Sequence, residues 1–350
     1  MSRKSKPSSL FKPVVSPERL CESFVGLSTF AQGAPSRAMM DELFLEFDDV
    51  DGNFVEQFQT TGFDARVWEL YLFALFSRSG FKVRRRADGA DFLLEKDGVT
   101  FAAEAVTANP SQTATTTDSA LSQPNAHDIF AIKLGSSLTS KLAKRYWEDP
   151  AVAGKPLVLC VAAFFDSDAL SFSASGLQIY LYGASALPGE LTSTGYKTIN
   201  VPLNSHENGK KVIPSGFFGL PDAQHVSAVL FSNAGTTAKF NRMGHQGKYR
   251  ASNLRMFRAG ECYNPDPRSL VASPFRYEVG VDDYEEPWSD GVTVFHNPRA
   301  TFPLDPDVFD DGVHQYLMRS GEMVYKIPGF HVYSSKTMLM LLKDEREAKP

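Results

Sequence analysis

Asp91 and Glu104 lie near the two ends of ADFLLEKDGVTFAAEAV, residues 90–106. Asp97-Gly98 at its middle is a strong signal for a two-residue hairpin turn. With the turn there, Lys96 pairs with Val99, Glu95 with Thr100, Leu94 with Phe101, Leu93 with Ala102 and Phe92 with Ala103. Asp91 then falls opposite Glu104, with both side chains on one face and roughly 5 Å apart at Cβ. Like charges that close repel, and more so when partly buried. Sharing a proton relieves the repulsion, and so does binding a cation. A hard divalent ion such as Mg²⁺, or Mn²⁺ in its place, takes carboxylate oxygens completed by water and phosphate. The alternative is two solvated acids at strand ends, with a bulge shifting the register.

A third acid stands in VWELYLFALF, a segment apolar on every side, as in a helix buried all round. Glu69 is its only charge. A lone buried carboxylate costs several kcal/mol unless it is paired or bound to metal. Two readings stay open: an ion pair with Arg66 or an arginine of the RRR run at 84–86, or one wall of a metal site shared with Asp91 and Glu104.

The elements that must position these residues follow from pattern and punctuation. A helix is expected over about 65–79, with Asp64 as N-cap and Gly80 as C-cap. FKVRRR reads as a short strand, and the hairpin adds two more. A polar loop beginning ANPSQTATTT leads to a second helix, about His127 to Glu148. PLVLCVAAFF is a continuous apolar strand, of the kind buried in the middle of a sheet. The order helix, three strands, helix, strand makes an α/β fold with a mixed sheet between helices. Residues 1–16 read as a disordered tail, 17–63 as an N-terminal helical region, 64–183 as the core, and 184–350 as a C-terminal extension. The segment ALSFSASGLQIYLYG suits a helix, and residues near 226–233 suit a strand that completes the sheet. Residues 236–350 show no clean period.

Composition bounds the rest. The 350 residues are 43% apolar, enough for a sizeable core, and the net charge of −5 excludes a general polycation. Three scattered cysteines, Cys21, Cys160 and Cys262, suit neither a disulfide framework nor a zinc site. No apolar run reaches the length of a membrane span, and the basic start lacks the apolar segment of a signal peptide. A soluble, cytoplasmic protein is expected. FDDVDGNF lacks the ligand alternation and closing glutamate of a calcium loop and reads as a polar turn. No P-loop, nucleophile elbow or dinucleotide fingerprint is present.

The helix with Glu69, the ADF arm and the EAV strand resemble the PD-(D/E)XK nuclease superfamily, which has the restriction-endonuclease-like fold. The likeness covers about residues 64–166. It implies an α-β-β-β-α-β core in which Asp91 and Glu104 hold Mg²⁺ and Glu69 joins them. Two positions depart from the family pattern. Ala90 replaces the proline before the aspartate. Val106 replaces the lysine two residues after the glutamate, on the same strand face as Glu104. That lysine polarises the attacking water and offsets phosphate charge, and valine does neither.

Some members of the superfamily supply this lysine from the next helix, here DIFAIKLGSSLTSKLAKRYWE. Its apolar stripe includes Phe130, Leu134 and Leu138. Lys141 lies seven residues beyond Leu134, only about 20° round the helix, so it points along the stripe toward the sheet. Lys133 and Lys144 lie about 100° and about 80° away. The alternative for Lys141 is an edge residue with its ammonium in water.

Basic residues elsewhere are candidates for nucleic-acid contact. Lys82, Arg84 and Arg86 share a strand face, as a phosphate-contacting stripe or as a charged edge that blocks strand-to-strand pairing. Lys239, Arg242 and Lys248 fall in a basic segment with aromatics, as a backbone grip or as solvated loop charges. The expected function is a Mg²⁺-dependent nuclease hydrolysing phosphodiester bonds, with DNA as the expected partner and RNA left open. Its catalytic residues would be Asp91, Glu104 and Lys141. The first rival is a nucleic-acid-binding module without catalysis, and the second is an interaction protein without nucleic acid.

Overall fold

The computed structural model describes residues 7–109, 126–165, 169–193, 195–232, 234–309 and 312–342. The helices α1 (Glu22–Thr29), α2 (Ala34–Glu46) and α3 (Phe54–Gln59) precede α4 (Phe63–Arg78). They interlock through phenylalanines: the Phe47 ring meets Phe54 at 4.6 Å and Phe73 of α4 at 5.4 Å. The expected disordered tail is corrected for its described part, residues 7–16. Leu10 is fully buried, the Asp41 carboxylate accepts from Leu10 N–H, and the Gln59 side-chain amide donates to the carbonyls of Leu10 and Lys12. One buried leucine and two polar clamps tie this segment down. Residues 1–6 lie outside the described residues, as do 110–125 of the polar loop after Asn109.

The strands β1 (Lys82–Arg85), β2 (Phe92–Lys96) and β3 (Val99–Ala108) form an antiparallel meander. The β2–β3 register is the one expected, from Phe92 opposite Ala103 to Lys96 opposite Val99. Asp97 and Gly98 both take positive φ, 50° and 79°, as the mirror-image turn favoured in two-residue hairpins requires. Then come α5 (Ala126–Leu142), β4 (Leu157–Ala163) and α6 (Ala169–Tyr182). Two hairpins follow, β5 (Ala184–Thr192) with β6 (Gly195–Pro202), and β7 (Ser205–Asn208) with β8 (Lys211–Pro214).

Next in the chain are β9 (Ala228–Ser232), α7 (Thr237–Gln246), β10 (Leu254–Cys262), β11 (Ser273–Glu278) and β12 (Val292–His296). The last strands are β13 (Val313–Leu317), β14 (Met323–Lys326) and β15 (Val332–Leu341). The main sheet has eight strands in the order β1-β2-β3-β4-β9-β12-β13-β14. β3, β4 and β9 run parallel, and β12 returns antiparallel to β9. The sheet therefore takes strands from both sides of residue 184, the expected start of the extension. β10, β11 and β15 form a separate three-stranded sheet.

Both faces of the main sheet are covered. α4 and the N-terminal helices lie on Phe92, Phe101, Val158 and Leu230. α5 and α6 lie on Ala102, Leu159, Val161 and Phe231. Every residue of β4 is buried, which is why its sequence is apolar without alternation. α5 and α6 approach closely at Gly135, where a Cβ would come 2.7 Å from the Tyr180 ring.

Two expected helix boundaries shift. α4 begins at Phe63 with Gly62 before it, so Asp64 lies inside the first turn. α5 ends at Leu142, not Glu148. Arg145 turns into the left-handed region (φ 52°) and bonds Glu148 and Asp222.

Candidate active site

Asp91 leads into β2 and Glu104 sits in the middle of β3. Beyond the last ladder pair the two strands are joined through side chains. The Asp91 N–H donates to Glu104 Oε2 at 3.0 Å, and the Ala105 N–H donates to Asp91 Oδ2 at 2.8 Å. Each acid thus takes an amide of the strand opposite its own, which holds the two carboxylates side by side.

Glu104 is almost entirely buried, 4% exposed. Its Oε1 accepts from Lys141 Nζ at 2.5 Å and from Tyr146 Oη at 2.7 Å. With the Asp91 amide, three donors converge on one carboxylate. Burial pushes its pKa up, the charge of Asp91 adds to this, and Lys141 and Tyr146 oppose it, leaving it at about 7. Lys141 comes from the last turn of α5, so the helix brings its ammonium to the same acid that β3 presents. Tyr146 follows the break at Arg145 and closes over Glu104 from beyond the helix.

Glu69 stands beside this pair but holds different partners. Its carboxylate accepts from Arg66 Nη1 at 2.7 and 2.8 Å and from Arg85 Nη2 at 2.9 Å. Burial raises its pKa and Asp91 adds to that, while Arg66 and Arg85 oppose. The ion pair expected as one of the two readings is formed, with Arg66 and with Arg85 of the RRR run. Arg85 also reaches Asp91 Oδ1 at 3.8 Å, so the guanidinium links Glu69 to Asp91. Among the described residues no group of three or more His, Cys, Asp or Glu side chains is arranged to hold a metal ion.

Glu69, Asp91 and Lys141 line one cleft of about 420 Å³. It lies between α4 and α5, against Ala105, Val106 and Thr107 of β3, with Ser136, Ser137 and Ser140 of α5 on its far wall. Val106 is buried and packs with the α5 side of the core, so that place in the cleft stays apolar.

The other basic candidates separate. Lys82 and Arg84 are exposed on β1, the edge strand of the sheet, and Arg86 pairs with Asp149 at 2.6 Å. Lys239 and Arg242 require correction as nucleic-acid contacts. They lie on α7 at 0% and 3% exposure, and both bond Glu286 at 2.7 Å. Glu286 also meets Arg258 at 3.0 Å. Burial alone would raise the pKa of Glu286, and Lys239, Arg242 and Arg258 together hold it well below the usual range. Cations spent on a buried acid cannot reach a phosphate. Lys248 is exposed and pairs with Glu42.

Arg85 and Tyr146 join the site beyond the residues expected from sequence. A signal for Arg85 was present: if Lys82, Arg84 and Arg86 share one strand face, Arg85 points to the other. Tyr146 had none, because its approach depends on where α5 stops. No family model matches this chain, and no curated protein or solved structure matches it either.

Proposed function

We propose that this protein is a Mg²⁺-dependent phosphodiesterase acting on DNA, on a core of the restriction-endonuclease-like kind. The observation that carries the reading is the convergence of Asp91, just before β2, Glu104 of β3 and Lys141 of α5, with Asp91 and Lys141 lining one cleft and Glu104 buried behind them. The order of α4, the β1–β3 meander, α5 and β4, with β4 parallel to β3, supports it, as does the resemblance of the ADF and EAV segments to the PD-(D/E)XK pattern.

The donor chemistry fits a hard divalent ion at two carboxylates. Asp91 and Glu104 are adjacent hard oxygen donors whose mutual repulsion a cation relieves. Glu69 faces Arg66 and Arg85, and this reading assigns it to holding Arg85 and leaves the ion to the other two acids. An ion held by Asp91 and Glu104 would supply an activated water and neutralise phosphate charge. The residues of the chain do the rest. Arg85, held by Glu69, positions Asp91. Tyr146 and the Asp91 amide orient Glu104. Lys141 places a positive charge in the cleft, where it stabilises charge developing on the phosphate, the task Val106 cannot perform.

A non-catalytic nucleic-acid-binding module is the second reading, favoured by Val106 and by the ion-paired state of Glu69. The test is cleavage of DNA and of RNA by the purified chain with Mg²⁺ or Mn²⁺, beside Asp91→Asn of equal helicity. Metal-dependent cleavage lost in the variant is expected. Folded protein that cuts neither polymer would overturn the enzymatic reading.

A further inference from the structure

The cleft does not end at Lys141. A second cavity of about 450 Å³ shares Ser136 and Ser137 with it and continues past Asn109 to Lys133, Asn208 and Lys211. The two cavities adjoin along α5 at these serines. Three cations border them: Lys141 at the acids, Lys211 with its ammonium at the junction on Ser136, and Lys133 in the second cavity. Lys211 belongs to the β7–β8 hairpin, and its ammonium donates to Ser136 Oγ at 2.9 Å. Neither Lys133 nor Lys211 has a carboxylate partner among the described residues, unlike Lys141, Lys239, Lys248 and Lys326.

The hairpin that carries Lys211 is pinned to α5. His206 of β7 is buried, its Nδ1 meets Asp128 of α5 at 3.0 Å, and its Nε2 meets Ser215 at 2.9 Å. This contact engages Asp128, the acid in the first turn of α5. The groove thus combines two lysines without a carboxylate partner among the described residues, small hydroxyl side chains that let a ligand approach the helix closely, and two exposed amides, Asn109 and Asn208. These are the groups that contact phosphate and sugar without reading bases.

Resting on the phosphodiesterase reading, we infer that the β7–β8 hairpin is a backbone clamp. The DNA strand leaves the acids along α5 toward its N-terminal half, and Lys133 and Lys211 hold phosphates next to the scissile one. The chain therefore grips DNA on α5 and not on the Lys82–Arg84 edge. Recognition in this groove is independent of sequence.

The test is equilibrium binding of the full chain to a short fluorescent DNA duplex and to its single strand. It is done in chelator, so that cleavage plays no part, over a series of salt concentrations. Lys133→Ala with Lys211→Ala is expected to reduce the salt slope by roughly 1 per lysine and to weaken binding equally across sequences. Lys211→Arg should retain the slope, and Lys82→Ala with Arg84→Ala should leave it unchanged. All the substituted side chains are partly or fully exposed, so the fold is expected to persist. An unchanged slope in the Lys133/Lys211 variant, with wild-type protein that binds and cuts, overturns the clamp alone. Wild-type protein that neither binds nor cuts overturns the clamp and the phosphodiesterase reading together.

Discussion

The amide of Asp91 donates to the carboxylate of Glu104 at 3.0 Å, across the mouth of the β2–β3 hairpin. Replacing either acid therefore alters a strand junction as well as a charge. Conservative changes that keep the shape are the informative ones.

Mg²⁺ or Mn²⁺ is expected to raise the thermal midpoint of the wild-type chain by mass action on the folded state. Asp91→Asn and Glu104→Gln keep the size of each side chain and remove a charge. Both should shrink the increment, which scanning calorimetry with and without metal reads directly. An undiminished response in both would place the ion elsewhere.

Lys141→Ala should reduce cleavage roughly 10²-fold or more, the usual scale for losing a group that stabilises transition-state charge. DNA affinity should fall far less. Lys144 lies beyond the end of α5 and is exposed, so Lys144→Ala is the matched control and should be close to neutral. Single-turnover rates on one substrate decide the comparison.

Glu69→Gln leaves Arg85, with its side chain 3% exposed, short of its main carboxylate. Breaking a buried pair from one side costs about 3–5 kcal/mol. The change should lower the urea midpoint strongly. Metal stabilisation of the protein that remains folded should persist if, as proposed, the ion is held by the other two acids. A stable variant that has lost its metal response would restore Glu69 as a ligand.

Lys239→Met and Arg242→Met should destabilise without changing the salt dependence of DNA binding, since both cations are buried on Glu286. Loss of affinity with stability intact would contradict this assignment.

The buried His331 carries a pH signature. Burial lowers its pKa to about 4, below the value of about 6.5 for an unfolded histidine. Its contribution to stability is complete above that unfolded value and is lost as pH falls toward about 4. The slope is about 1.4 kcal/mol per pH unit. Glu104, raised to about 7, acts in the opposite direction over part of this range, so the wild-type curve alone does not isolate the histidine. The difference between wild type and His331→Gln does: the variant's stability should fall less steeply between about pH 6.5 and 5. Parallel urea curves for the two proteins would exclude the effect.

Local rules made part of this protein legible in its sequence. Asp97-Gly98 sets the hairpin because both positions need positive φ, and a strand period of two then puts Asp91 beside Glu104 without any knowledge of the fold. The buried strand β4 is legible because a strand covered on both faces has no polar side to display. Helical phase alone turned Lys141 toward the sheet. Tertiary structure decided what depends on partners distant in the chain. Which arginines pair with Glu69 was decided by the fold, as β1 delivers Arg85, 16 residues away, to its carboxylate. Lys239 and Arg242 look like a basic surface until Glu286, more than 40 residues later, buries them. The last strands of the main sheet escaped the pattern because β12 and β13 bury His296, His314 and Gln315 among their apolar residues. Periodicity counts polar residues as outward-facing, and only the packed sheet supplies the contacts that let them turn in, such as His296 Nε2 on His314 Nδ1 at 2.8 Å.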